Sequence, residues 1–274
     1  MKAIVLGAAG QLGMELVRLL GEEVAVTHRQ VSITDARAVD SLLESRRPDV
    51  VFNCAAYNAV DLAETEVELA HQVNSTGPFN IAVACARHGS RFVHFSTNFV
   101  FDGHLDRPYV ESDAPGPLGA YAHSKLDGER TVLEAMPAAL VIRTAGVFGG
   151  DGGQSFPEKI AQRVRSGARP RVVADQFVNP TFTGDLAPAA LQLAGDGLEG
   201  VVHVVAAGCC GWDEFARAAL AELGLDAEVE PISTEELAAP AQRPLNGCLA
   251  SIRVEALRPW REAVHEWGQR VKNP

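Results

Sequence analysis

The sequence predicts an α/β fold: a doubly wound, parallel-sheet Rossmann domain with a smaller C-terminal lobe. Three observations predict it. Short β-branched runs alternate with longer segments whose apolar residues recur at helical spacing. The short runs are apolar throughout, as expected for strands covered by helices on both faces. The first of them leads directly into a glycine-rich turn that opens a helix.

In chain order the predicted strands are "KAIVLG" (2–7), "EVAVTH" (23–28), "DVVFNCAA" (49–56), "RFVHFST" (91–97), "ALVIRTAGVFG" (139–149), "RVVAD" (171–175) and "VVHVVA" (201–206). Between them "GQLGMELVRLLG", "TDARAVDSLLESRRP", the long "TEVELAHQVNSTGPFNIAVACARHG" and "SKLDGERTVLEAM" read as helices. After about residue 150 the alternation weakens at a glycine-rich stretch, "GGDGGQSF". Beyond 206 helices mix with one strand-like piece, "AEVEPIS". The expected division is therefore a dinucleotide-binding domain over 1–150 plus about 170–206, interleaved with a substrate-binding lobe over about 151–169 and 207–274.

With 274 residues, 47% of them hydrophobic, and mean hydropathy +0.02, the chain can bury a large core. A formal net charge of −11 speaks against nucleic acid as partner, since such binders present a basic face. Five scattered cysteines, Cys54, Cys85, Cys209, Cys210 and Cys248, show neither zinc spacing nor a dense disulfide framework, which fits a reduced cytoplasmic compartment. The adjacent Cys209 and Cys210 are badly placed to pair with each other. The opening "MKAIVLGAAGQLG" reads as a core strand rather than a signal peptide, and no window is apolar enough for a membrane span.

"GAAGQLG" places Gly7, Gly10 and Gly13 in G-x-x-G-x-x-G spacing, with Gln11 and Leu12 between them. Glycines there allow a tight turn and let backbone N–H groups at a helix N-terminus approach a pyrophosphate. At the end of the second strand an acidic residue would bind a ribose 2′-OH, whereas Arg accepts a 2′-phosphate. The chain has His28 and Arg29 and no acid. The expected cofactor is NADP(H), with NAD(H) as second choice. Ile33 could flank an adenine, and Thr34 or Asp35 could cap the next helix.

Tyr121 and Lys125 stand four apart in a helical segment, so their side chains share one face. A cation beside a phenol favours phenolate and lowers the tyrosine pKa, which suits the proton transfer that carbonyl reduction needs. Thr97 ends a strand at the ligand-facing edge and could hold the same substrate oxygen. The catalytic candidates are Tyr121, Lys125 and Thr97.

The ordered motifs "GAAGQLGMEL", "NCAAYNAVDLAE", "STNFVFDG", "YAHSKLDGE", "VIRTAGVFG", "DQFVNPTFTGDLA" and "QRPLNG" resemble those of dTDP-4-dehydrorhamnose reductases, within the extended short-chain dehydrogenases. The resemblance runs from residue 1 to about 250. It implies NAD(P)H-dependent reduction of a 4-keto group on a nucleotide-linked deoxysugar. In that reading Tyr121 is the proton donor, Lys125 binds the nicotinamide ribose, and Ala55, Ala56 and Tyr57 run along the cofactor. Asn98, Phe99, Asp175, Gln176 and Asn179 would line the substrate side, with Arg243 reaching a diphosphate. The chain departs from the family's pattern where that has S-T-D-Y-V-F (Asn98, Phe99 here), R-T-S-W-V-Y-G (Ala145, Gly146 and Phe148 here) and R-P-x-x-S-x-L (Gly247 here). These departures fall on the sugar side and could change substrate choice.

Glu15 matches a position some family members use for magnesium, but a lone glutamate on a helix reads as solvated, and no metal is expected. His94, alternating with apolar residues in a strand, reads as a satisfied core histidine. Two alternatives stand beside the reductase: a reductase of another ketosugar or small carbonyl, and a non-catalytic NADP-binding regulatory subunit. A homodimer is compatible with the sequence, and membrane and nucleic-acid partners are not expected.

Overall fold

The computed structural model describes residues 2–150 and 155–273. Residues 151–154, inside the glycine-rich stretch and at the expected domain boundary, lie outside the described residues. Six strands form the central sheet: β1 (Ala3–Leu6), β2 (Ala25–Val26), β3 (Val50–Asn53), β4 (Arg91–Thr97), β5 (Leu140–Thr144) and β6 (Gly200–His203). Their spatial order is β2-β1-β3-β4-β5-β6, and every neighbouring pair is parallel. This is the doubly wound architecture, with its switch point between β1 and β3.

The continuous apolar runs follow from two-sided burial. Successive strand residues point to opposite faces. Val5, Phe52, Val93 and Ile142 go to one side, where they meet Leu16 of helix Gln11–Leu20 and Leu186 of helix Thr183–Gly195. Ile4, Val51, Phe92 and Val141 go to the other, against Val39, Leu43, Ile81 and Val132 from the helices Ala36–Arg46, Gly77–His88 and Ala120–Ala135. Asp35 caps the helix at Ala36, accepting from the Arg37 and Ala38 N–H groups at 3.0 and 3.1 Å.

The long helical segment predicted after residue 65 is continuous but contains a π-turn, Gln72–Thr76, between helices Val67–His71 and Gly77–His88. Such turns are frequent at functional sites. Here the turn carries Asn74. Its Oδ1 accepts from the Tyr57 N–H at 2.8 Å, while Nδ2 donates to the Tyr57 carbonyl and to Ser124 Oγ, both at 3.0 Å. One side chain thereby ties the loop after β3 to the helix that carries Tyr121.

Four strand predictions change, the run 201–206 leaving the central sheet after His203, with Ala206–Ala207 pairing instead with Leu257–Pro259. The run 23–28 keeps only Ala25–Val26 in the sheet, because Glu22–Val24 form a 3-10 turn. The run 139–149 breaks at Gly146, whose φ of +53° turns the chain out of the sheet, and Val147–Phe148 pairs instead with Thr181–Phe182. The run 171–175 stays out of the central sheet: Arg171–Val173 pairs in parallel with Glu230–Ile232 in a separate two-stranded sheet. That partner lies within "AEVEPIS", so two short apolar pieces satisfy one another, a pairing that local pattern cannot specify.

Phe148 and Phe182, from segments expected in the dinucleotide-binding part, pack with Phe215, Trp260 and Trp267 into a separate aromatic cluster. A disulfide joins Cys209 to Cys248, 39 residues apart, while Cys54, Cys85 and Cys210 are free thiols. One bond is not a dense framework, and Cys209 pairs away from its neighbour Cys210, but the pairing itself was not anticipated. The scattered spacing concealed a contact that only the folded lobe creates. No described helix is long and apolar enough to cross a membrane.

Candidate active site

Gly7, with φ of +75°, takes a backbone conformation that L side chains rarely adopt, and a Cβ there would overlap the Ala55 backbone. The loop after β1 therefore packs directly on the loop after β3 at the switch point. The Gly10 N–H closes the turn on the Gly7 carbonyl at 3.0 Å. A Cβ on Gly13 would in turn overlap the Gly7 carbonyl, so the third glycine lets helix and strand approach. Gly10 caps helix Gln11–Leu20 without a side-chain hydrogen bond, which leaves first-turn N–H groups for an anion. Gln11 Oε1 is buried with no partner. This cradle fits a dinucleotide. Gly10, Gln11, Leu12, Ala55 and Ala56 all border one cleft of about 420 Å³.

The same cleft is bordered by Thr97, Asn98, Phe99, Tyr121 and Lys125. Helix Ala120–Ala135 projects Tyr121 and Lys125 from consecutive turns toward the ends of β4 and β5. Tyr121 OH donates to Asn58 Oδ1 at 3.4 Å, and its ring meets Phe99 edge-on, centroids 5.6 Å apart. Lys125 Nζ donates to the Phe95 carbonyl at 2.7 Å.

The expected acidification of the phenol is overturned. Burial pushes the Tyr121 pKa up to about 12, outweighing the Thr97 hydroxyl that pulls it down, and Lys125 does not lower it. Tyr121 is consequently a protonated phenol at neutral pH, the form that donates. Burial also lowers Lys125 to about 8, against the opposing pull of the Glu129 carboxylate and of Cys54. Between pH 8 and 10.5 the unfolded chain binds a proton that the native lysine has released, so this group makes stability rise with pH in that window. Below it the full burial penalty applies. Lys125→Met should therefore gain up to about 3 kcal/mol at pH 7, with the difference closing by pH 10.5, while losing activity. Urea titrations at pH 7 and pH 10 check it.

Not every predicted residue reaches the cleft. His28 and Arg29 are exposed in the turn after β2, which the Thr27 N–H braces by donating to Gln30 Oε1. Ile33 is buried against Gly77 in the core. Tyr57 directs its hydroxyl to Glu66 at 2.8 Å. Asp175, Gln176 and Asn179 do not line the cleft; their side chains are occupied by protein. Asp175 accepts from the Thr234 N–H and hydroxyl, and Gln176 Nε2 donates to Thr234 Oγ1. Asn179 donates to the Ala206, Gly208 and Leu249 carbonyls and accepts from the Leu249 N–H. Arg243 is ion-paired with Asp61 at 2.9 Å, a contact between the loop after β3 and the loop 241–249.

Other residues complete the site without having been singled out. Ser96 and Thr144, on adjacent strand ends, border the cleft and bury hydroxyls with no partner. Trp212 borders it from the lobe beside Gly146. A hydroxyl ending an apolar strand run was the available clue for the first two; Trp212 had none. His94 is only half satisfied: Asn53 Nδ2 donates to its Nδ1 at 3.1 Å, and its Nε2 is buried without a partner. Glu15 is buried rather than solvated, and its carboxylate is held by Arg18 and Arg270. Among the described residues no group of three or more His, Cys, Asp or Glu is placed to hold a metal.

A family model described as the RmlD substrate binding domain matches residues 1–273. This chain belongs to that family. A dTDP-4-dehydrorhamnose reductase of Mycobacterium tuberculosis is 40% identical over 278 residues, covering 96% of this chain and 91% of that protein. A probable dTDP-4,6-dihydroxy-2-methyloxan-3-one 4-ketoreductase of Streptomyces antibioticus is 38% identical, covering 97% of this chain and 94% of the relative. Among solved structures, a dTDP-4-dehydrorhamnose reductase of Bacillus anthracis in complex with NADP superposes with a TM-score of 0.94 at 32% identity, covering 98% of this chain and all of that one. The superposition thus extends over the central sheet and the segments that follow it.

Proposed function

We propose that this RmlD-family chain is an NADPH-dependent reductase of a nucleotide-linked 4-keto-6-deoxy sugar. The observation that carries the proposal is the shared cleft: Tyr121, Lys125 and Thr97 border the same space as Gly10, Gln11 and Leu12. A bound reduced nicotinamide supplies hydride. The glycine turn and the N-terminal turn of helix Gln11–Leu20 would hold the pyrophosphate, Lys125 the ribose hydroxyls, and Arg29 a 2′-phosphate. Thr97 and Tyr121 converge on the carbonyl oxygen, and Tyr121 gives it a proton. An alkoxide is far more basic than a phenolate, so a phenol held at about 12 still donates downhill. The names of the relatives support the nucleotide-sugar substrate, and the NADP complex supports the cofactor.

The purified protein should oxidise NADPH when given a dTDP-4-keto-6-deoxy sugar; absence of turnover over a panel of nucleotide-linked ketosugars would end the proposal. Arg29→Ala should weaken NADPH binding about 10- to 100-fold, as expected for loss of a charge-assisted hydrogen bond, and leave NADH nearly unchanged. Equal weakening of both would remove Arg29 from the cofactor site.

A further inference from the structure

Two of the sugar-side departures, Asn98 and Gly247, lie 149 residues apart in sequence and touch in the fold. Asn98 Nδ2 donates to the Gly247 carbonyl at 2.9 Å in a buried bond. Its Oδ1 accepts from the Thr97 hydroxyl at 3.3 Å. Thr97 Oγ1 accepts in turn from the Phe99 N–H at 3.2 Å. A chain of hydrogen bonds thus runs from the loop at Gly247 through one carboxamide to Thr97, which borders the cleft together with Tyr121. Gly247 itself is anchored, its N–H donating to the Phe177 carbonyl at 2.9 Å, and Cys248 beside it is held by the disulfide to Cys209. A Cβ on Gly247 would overlap the Asn98 amide nitrogen.

We propose that Asn98 is a positioning residue: its carboxamide ties the lobe loop at Gly247 to the end of β4 and sets the direction of the Thr97 hydroxyl, and Gly247 lacks a side chain in order to admit it. The assignment rests on the reductase reading for its effect on turnover, though not for the contact. A hydroxyl has one hydrogen to give. At 3.3 Å the neutral amide oxygen holds that hydrogen loosely compared with the 2.7–2.8 Å usual for O–H···O bonds. Thr97 is therefore oriented yet free to turn its hydrogen to an arriving carbonyl oxygen.

A carboxylate at position 98 would fail in two ways. It has no hydrogen to offer the Gly247 carbonyl, so two acceptors would face each other in a buried place. It would also bind the Thr97 hydrogen roughly twice as strongly as an amide oxygen does and withhold it from the substrate. A serine at 247 would offset the first fault once the end of the residue-98 side chain shifts off the new Cβ, because the hydroxyl it carries can donate to that carboxylate. The amide–carbonyl pair and the carboxylate–hydroxyl pair are alternative solutions of one contact, and only the first leaves this wall of the cleft uncharged.

The test is a double-mutant cycle of Asn98→Asp and Gly247→Ser, read by melting temperature and by steady-state kinetics. Each single variant should melt below wild type, and the double variant should melt closer to wild type than the sum of the losses allows. Asn98→Asp should lower kcat about tenfold or more with KM for NADPH unchanged, and adding Gly247→Ser should recover part of kcat. Additive melting losses would overturn the contact. Coupled melting losses with an unaltered kcat in Asn98→Asp would overturn the positioning role. A wild-type protein inactive on every ketosugar would overturn the reductase reading and the positioning role together, while the melting cycle would still decide the contact.

Discussion

Tyr121→Phe should reduce kcat for NADPH-dependent ketosugar reduction about 10²- to 10⁴-fold, the range supplied by one positioned general acid, and leave NADPH affinity nearly unchanged. The substitution deletes one oxygen. The ring stays, and with it the edge-on contact to Phe99 at 5.6 Å. The hydroxyl's long hydrogen bond to Asn58 is worth little to the fold, so the variant should melt near wild type. The carbonyl oxygen would then lose the donor aimed at it: the Thr97 hydroxyl is a much weaker acid, and Lys125, though more acidic, directs its Nζ to the Phe95 carbonyl at 2.7 Å. Stopped-flow transients separate the step: NADPH binding should be retained and hydride transfer slowed. A variant with wild-type turnover would show that Tyr121 is not the proton donor. Equal inactivity of wild type and variant, with NADPH bound by both, would favour a regulatory NADP-binding role.

Glu129→Ala should destabilise the protein by about 3–5 kcal/mol, because it strands a buried guanidinium. Arg143, on β5, is paired with Glu129 through two bonds, Nε to Oε1 at 2.9 Å and Nη2 to Oε2 at 2.7 Å, and both side chains are almost completely enclosed. Arg143 also lies over the Phe101 ring, 5.1 Å from its centroid, and its Nη1 is 3.5 Å from His203 Nε2, a histidine whose pKa burial lowers. No other carboxylate is bonded to the guanidinium among the described residues. Replacing both partners by apolar residues of similar size should cost less than either single removal, since no unpaired charge remains. Urea unfolding of the two singles and the double decides this. The pair also reaches the chemistry. Glu129 follows Lys125 by one helical turn, and its carboxylate supports the lysine's charge against burial. Loss of the Lys125 proton should lower the rate at alkaline pH, and in Glu129→Gln that fall should move to lower pH.

The glycine turn and the Tyr121–Lys125 spacing were legible because each is a local requirement: a backbone that only glycine permits at Gly7, and a helical period of four. Two-sided strand burial was legible for the same reason, since it leaves a near-continuous apolar run. The capping role of Asp35 needed only its immediate neighbours. By contrast, "RVVAD" looks like a sheet strand until Glu230–Ile232 offers it a different partner. Asp175, Gln176 and Asn179 carry polar groups suited to a ligand, but Thr234 and Leu249 reach them first.

From the chain alone came the fold class, the strand edge at which a dinucleotide would sit, and the residues that share one helix face there, because these depend on neighbours within a turn or two. Tertiary structure decided that Tyr121 holds its proton more tightly rather than less, that Arg243 lies on Asp61, that Cys209 meets Cys248, and that Asn98 leans on Gly247. Desolvation and long-range pairing depend on what the rest of the chain places around a group, and a one-dimensional pattern does not contain that.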